Sequence, residues 1–296
     1  MVFEGMGIPR LKDLMELLEE VAPAELAESW DNPGLQVGFL DQRIERLVLS
    51  LDPTLQAVQF ATSERAQLLL THHPLIFRPV STIRDGEYPG GVVYEAIRRG
   101  ISVVAMHTNL DAAHEGINAI LADLLALEQV EPLSAPGAGE GVKSGALASR
   151  AIAAEQKEGK SSENAGLGRI GNLKRPCKLS EFISRAKKSL RLKTVRVVGE
   201  DKVVIKRVAV VGGSGGSLIR EAWMKGADLL VTGDVSYHQA REAEFLDLAV
   251  IDGGHFATET VAFREFGRQL GKQIAARGWK IQVLFNEEEK DPLRAI

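Results

Sequence analysis

Six histidines fall in four short segments of the 296-residue chain: His72 and His73 in THHP, His107 and His114 in HTNLDAAH, His238 in GDVSYH and His255 in DGGHFATE. Imidazole nitrogens and carboxylate oxygens are the ligands that divalent transition ions take. The single cysteine, Cys177, can form neither an internal disulfide nor a cysteine-rich zinc site, so any metal is expected on nitrogen and oxygen. His255 and Glu259 are four residues apart, and if a helix has begun at His255 both lie on one face, a spacing that suits chelation. The plainer reading makes Glu259 a first-turn carboxylate answering the helix dipole. Adjacent strand residues face opposite sides, so His72 and His73 either reach different ions from a strand end, or one packs inside while the other is solvated. Asp111, closing HTNLD, reads on its own as a helix cap. Taken together, His72, His73, Asp111, His255 and Glu259 supply three imidazoles and two carboxylates. That inventory suits two divalent ions sharing a carboxylate better than one four-coordinate zinc.

The elements that must position these residues follow from hydrophobic period. Short β-branched or leucine-rich runs predict strands at 47–51, 68–70, 101–105, 194–199, 206–211, 228–231, 248–251 and 280–285. Amphipathic spacing predicts helices at 9–20, 55–65, 92–99, 115–126, 179–190, 217–225, 237–246 and 258–276. The histidines then sit at strand ends or helix starts, where α/β sheets gather ligands. The expected fold class is α/β, as two α/β lobes with mixed sheets: residues 1–134 and 166–296, the C-terminal part of the second supplying metal ligands. Between them, 135–165 is rich in Ala, Gly, Ser, Glu and Lys and reads as a flexible insertion or linker, with an edge strand at 145–152 as the other reading. The glycines of VGGSGGS at 211–217 lack a Walker lysine and dinucleotide spacing, so a tight strand-to-helix turn is expected there. Trp30-Asp31-Asn32 is either a packing anchor with turn residues or part of a cleft wall. Arg78 is either a surface arginine or an attractor for an anionic substrate.

Composition narrows the class. With 45% hydrophobic residues the chain can bury a sizeable core, and 36 basic against 40 acidic side chains give a formal charge of −4 with no long block of either sign. Nucleic-acid binding is therefore not expected. No apolar run reaches the roughly 20 residues of a membrane span and no secretory core opens the chain, so a cytoplasmic protein is expected.

In order and content, ESWDNPGLQVG at 28–38, THHPLIF at 71–77, HTNLDAA at 107–113, GLGRIGNL at 166–173, VAVVGGSGGS at 208–217, TGDVSYHQA at 232–240 and IDGGHFATET at 251–260 resemble the GTP cyclohydrolase I type 2 homologue family, also called the Nif-three-like family. The resemblance runs from about residue 9 to 286. It implies two α/β lobes and a dinuclear centre, two divalent ions (Zn, Mn, Fe, Co or Ni) held by the residues aligned with His72, His73, Asp111, His255 and Glu259, with the glutamate touching both. It also implies a ring-like homohexamer with the metal sites facing an inner cavity. The implied activity is metal-dependent hydrolysis of a nucleotide or another small phosphorylated or heterocyclic compound; the alternative is a metal-binding scaffold or regulatory interaction protein without turnover. His107 and His238 lie beside ligand loops without completing the ligand set, which makes them the candidates for proton transfer or substrate contact. His114 stands where relatives more often have a small residue or proline and takes no metal role. The segment 135–165 matches no family motif.

Overall fold

The computed structural model describes residues 7–134 and 165–293, so the expectations for 135–165, Ala165 excepted, lie outside the described residues. In chain order the elements are α1 (Leu11–Val21), β1 (Gly34–Val37), β2 (Arg46–Ser50), α2 (Leu55–Ser63), β3 (Leu68–Thr71), α3 (Gly90–Arg99), β4 (Ser102–Ala105), α4 (Thr108–Ala112), α5 (Ile117–Leu124) and β5 (Leu127–Pro132). There follow β6 (Arg169–Lys178), α6 (Leu179–Ser189), β7 (Arg196–Val198), β8 (Val204–Ser214), α7 (Ile219–Met224), β9 (Leu229–Gly233), α8 (Tyr237–Phe245), β10 (Ala249–Asp252), α9 (His255–Ala276) and β11 (Gln282–Phe285). The fold is mixed α/β with two mixed sheets. Among the described residues no helix is long and apolar enough to cross a membrane.

One compact unit holds residues 7–110 and 263–290. Its sheet has the order β1-β4-β3-β2-β11, parallel except for β1, which runs antiparallel to β4. The runs Leu47-Val48-Leu49, Leu68-Leu69-Leu70 and Val103-Val104 are apolar without alternation because both faces of this sheet are covered. On one face Val48, Leu69 and Val103 pack with Val58 and Ala61 of α2 and Val92 and Ala96 of α3. Thr54 caps α2 by accepting from the Ala57 amide, and Gly100 ends α3 in the left-handed region at φ 66°. The stop at Gly100 sets the start of β4 at Ser102.

The other unit holds 111–134, 165–262 and 291–293. Its sheet has the order β5-β6-β8-β9-β10-β7, with β8, β9 and β10 parallel and the remaining pairings antiparallel. Ile170, Ala209, Leu230 and Val250 pack there with Ile219 and Ala222 of α7 and Ala243 of α8.

The compact units differ from the two sequence halves. β11 pairs in parallel with β2 and covers what would be an open sheet edge, while β5 pairs with β6 in the other sheet. Strand periodicity reports that a segment is extended; it carries no information about which sheet the segment joins. β6 was absent from the sequence-based elements because Gly171, Asn172, Lys174, Arg175 and Pro176 interrupt its apolar residues, and its register with β8 breaks between Asn172 and Cys177.

Candidate metal centre

In the first unit β2, β3 and β4 end in register, with Ser50 beside Thr71 and Thr71 beside Ala105. The residues that follow are Leu51-Asp52, His72-His73 and Met106-His107. The ladder continues past the strands, since the His73 amide donates to the Leu51 carbonyl at 3.0 Å and the Met106 amide to the Thr71 carbonyl at 2.9 Å. The Thr71 hydroxyl donates to the His73 carbonyl at 2.8 Å and bends the chain at the strand end. The two histidines therefore do not diverge as strand neighbours would: their ring centroids lie 5.2 Å apart, and His107 stands 5.3 Å from His72 and 5.6 Å from His73. One ring nitrogen from each of the three lies within 4.8 Å of the others, a group able to hold a cation.

Each ring is turned by an oxygen acceptor. His72 Nδ1 lies 2.8 Å from the Met106 carbonyl, His73 Nδ1 2.7 Å from Asp52 Oδ1 and His107 Nδ1 2.8 Å from Asp31 Oδ1. A carbonyl only accepts, so the His72 proton sits on Nδ1 and Nε2 keeps the lone pair, the arrangement found behind metal-binding imidazoles. Asp52 is itself fixed from the C-terminal segment. The Glu289 carboxylate accepts from the Ser50 hydroxyl at 2.7 Å and from the Leu51 and Asp52 amides at 2.9 and 2.8 Å. Burial pushes the Glu289 carboxyl up, and the neighbouring Asp52 charge adds to the rise against those three bonds.

Asp31 ties the WDN segment to His107 and to the start of α4. Burial raises its pKa, but bonds from His107, the Thr108 hydroxyl and the Asn32 amide outweigh that and hold it below 3.8. A carboxylate with a depressed folded pKa stabilises above its unfolded value, and the contribution is lost as pH falls through the folded value. Asp31→Asn is thus expected to be less stable than the unsubstituted chain at pH 7, with the gap closing below pH 3.8. Urea midpoints across that range measure it; a gap independent of pH would contradict the assignment.

The second unit repeats the placement at the ends of β8, β9 and β10. Helix α9 starts at His255, three residues earlier than the sequence predicts, and this puts His255 and Glu259 on one face with Nε2 to Oε2 at 3.1 Å. His255 Nδ1 lies 2.7 Å from Asp234 Oδ2. Carboxylates meet both ring nitrogens, so negative charge concentrates where a cation would sit. The glycines expected in a tight turn instead continue β8 as a bulge, where its register with β9 shifts between Val210 and Ser214. Gly213 holds φ 62°, and a Cβ on it would lie 2.0 Å from Glu259 Oε1 and 3.2 Å from His255 Nε2. The Gly213 amide donates to the Thr258 hydroxyl at 3.1 Å, so the bulge is bonded to the first turn of α9.

Asp111 lies half-buried in α4, and buried Asn118 connects its segment to the same bulged end of β8. The Asn118 amide nitrogen donates to the Asp111 carbonyl at 3.0 Å, and its oxygen accepts from the Gly212 amide at 2.8 Å. The buried guanidinium of Arg169 donates to the carbonyls of Ala113 and Gly166 at 2.6 Å and of Gly168 at 2.8 Å. Burial pushes it down to about 10, against the opposing pull of the Asp111 charge.

The structure thus groups His72 and His73 with His107, and His255 with Glu259, the latter pair against the strand bulge that Asn118 ties to Asp111. His238 stands exposed at the start of α8 with Tyr237 as its ring neighbour, and the contacts that build these groups do not include it. His114 and Arg78 are exposed. Sequence reasoning missed Asp52, Asp234, Asn118 and Glu289; the available signal for the first two was an acid immediately after a strand, in LDP and TGD.

Residues 9–292 match the sequence model of Duf34/NIF3 (NGG1p interacting factor 3). A Clostridium acetobutylicum protein named GTP cyclohydrolase 1 type 2 homolog is 30% identical over 285 residues, which are 96% of this chain and 98% of that protein. A Streptomyces coelicolor protein of the same name is 33% identical over 292 residues, with 97% and 95% covered. Among solved structures, a Bacillus cereus protein related to NIF3 aligns with a TM-score of 0.84 at 27% identity, over 98% of this chain and all of that one. The match spans both sheets and every residue of the two histidine groups, and on that breadth the chain belongs to the Duf34/NIF3 family.

Proposed function

We propose that this chain binds two divalent metal ions through His72, His73, Asp111, His255 and Glu259 and hydrolyses a nucleotide or another small phosphorylated or heterocyclic compound. The observation that carries the reading is that His72, His73 and His255 each have Nδ1 against an oxygen acceptor, which directs Nε2 toward ligation. The donor set fits: imidazoles and carboxylates suit Zn, Mn, Fe, Co or Ni without strong preference. Bound together, two such ions supply a water of lowered pKa as nucleophile at neutral pH.

The protein's own groups supply the rest. His107, with Asp31 behind Nδ1, can take a proton at Nε2 while the carboxylate stabilises the resulting cation. No thiol competes as nucleophile, because burial, then the Glu181 charge, push the Cys177 thiol up. The bacterial relatives named GTP cyclohydrolase 1 type 2 homolog motivate heterocycles as the first compounds to try.

The test is elemental analysis of metal-replete protein, with about two ions per chain expected, joined to a nucleotide screen read by mass spectrometry. Glu259→Gln and Asp111→Asn should each lower metal content or turnover by roughly 10-fold or more, since an amide cannot replace the charge of a ligating carboxylate, and His114→Ala should change neither. Metal-replete protein holding no ion, or equal effects from all three substitutions, would remove the basis of the reading.

A further inference from the structure

Two aromatic side chains stand beside the histidine group of the first unit and take no part in metal ligation. Trp30 is 37% and Phe77 44% exposed, although both belong to segments otherwise tied down. Their ring centroids are 5.7 Å apart at 66°. Both also meet His107 nearly edge-on, Trp30 at 6.1 Å and 72°, Phe77 at 6.5 Å and 81°.

Hydrogen bonds, rather than burial, fix this spacing. The Asn32 side chain donates to the Ile76 carbonyl at 2.6 Å, and Gln36 Oε1 accepts from the Ile76 amide at 3.0 Å. Gln36 donates in turn to the Asn32 carbonyl at 2.8 Å. Asp31, between Trp30 and Asn32, is bonded to His107 and to the Thr108 amide. Both backbone groups of the residue before Phe77, and the carboxylate of the residue after Trp30, are therefore committed. The two rings are held in place while part of their apolar surface stays in water, which is unfavourable by roughly 25 cal/mol per Å².

Two rings at 66° make a corner. A flat ring stacked on one wall presents its edge to the other, the offset and edge-on contacts that aromatic systems prefer. His107 borders the corner and offers a nitrogen to a polar ring edge. An aliphatic phosphate ester would gain nothing from these walls.

We propose that Trp30 and Phe77 form a stacking corner for a planar nitrogen heterocycle of nucleobase size, with His107 meeting its polar edge. The inference rests on the reading of the histidine group as a reaction site and selects, among its substrate classes, the heteroaromatic one. The chain has three tryptophans, so Trp223→Phe with Trp279→Phe makes Trp30 the sole indole reporter. Full-length, metal-loaded protein of this form is titrated with GMP and with ribose 5-phosphate, following fluorescence. GMP is expected to quench Trp30 emission and to bind at least roughly 10-fold more tightly than ribose 5-phosphate, the range of one base stacked on an aromatic ring. In the otherwise unsubstituted chain, Trp30→Ala should weaken GMP binding by a similar factor and Trp30→Phe should restore most of it. Metal content is unchanged in both.

Equal affinity for the two probes, with no effect of Trp30→Ala, overturns the proposal. So does Trp30→Ala altering oligomer size by light scattering while GMP affinity stays constant, because the corner would then belong to a contact between copies. Absence of bound metal in the unsubstituted chain would defeat the hydrolase reading instead, and the GMP titration would still decide the corner.

Discussion

Gly213→Ala is expected to lose bound metal by roughly 10-fold or more while remaining folded, and Gly226→Ala is expected to keep it. Both glycines have left-handed backbones, φ 62° and 73°, so both substitutions pay a similar strain of roughly 1–2 kcal/mol. They differ in surroundings. A Cβ at Gly226 meets nothing within 4 Å, whereas one at Gly213 falls 2.0 Å from Glu259 Oε1 and 2.9 Å from its carboxyl carbon. The atoms in the way are the end of a flexible side chain, so the carboxylate can swing aside and the fold survives. It swings away from His255, however, and the 3.1 Å pairing with Nε2 is lost. Thermal unfolding should put the two variants close together, with metal analysis separating them. Equal metal content would mean that Glu259 is not a ligand in the orientation the structure gives it.

The contact between positions 213 and 259 has no counterpart in the local sequence pattern. The segments bearing the five proposed ligands were legible because strand ends are legible: Leu68-Leu69-Leu70 is an unbroken apolar run, so THHP has to follow a buried strand. The grouping of His72 and His73 with His107 was not legible, since it depends on the Thr71 hydroxyl reaching the His73 carbonyl, a contact with no periodic signature. Asp52 and Asp234 look like ordinary strand-end acids until the neighbouring strands bring His73 and His255 to them. A tight turn was expected at these glycines, whereas Gly212 and Gly213 lie in a bulged end of β8, and the closeness of Gly213 to Glu259 joins positions 213 and 259, a separation that local propensity does not sense. The same limit applies to β11, whose extended character was foreseen and whose place beside β2 was not.

Arg169→Met should destabilise the protein by roughly 3 kcal/mol, the range found when one partner of a buried charged network is removed. Methionine matches much of the volume, so lost packing is a small part of this. The larger part is the carbonyls of Ala113, Gly166 and Gly168, which accept from the guanidinium at 2.6, 2.6 and 2.8 Å and would lose that donor in a buried turn. Arg169→Lys should fall between the two, because an ammonium cannot reproduce the planar fork that spans three acceptors. Charge pairing with Asp111 offers a rival explanation, since that carboxylate opposes the burial that pushes Arg169 down to about 10. The Asp111→Asn background separates them by urea denaturation of metal-free protein. If pairing dominates, most of the cost of Arg169→Met disappears once the carboxylate is gone. If the three carbonyl bonds dominate, as their number and length require, the cost stays nearly constant, and a cost that vanishes in that background would show that Arg169 serves Asp111 instead of the turn.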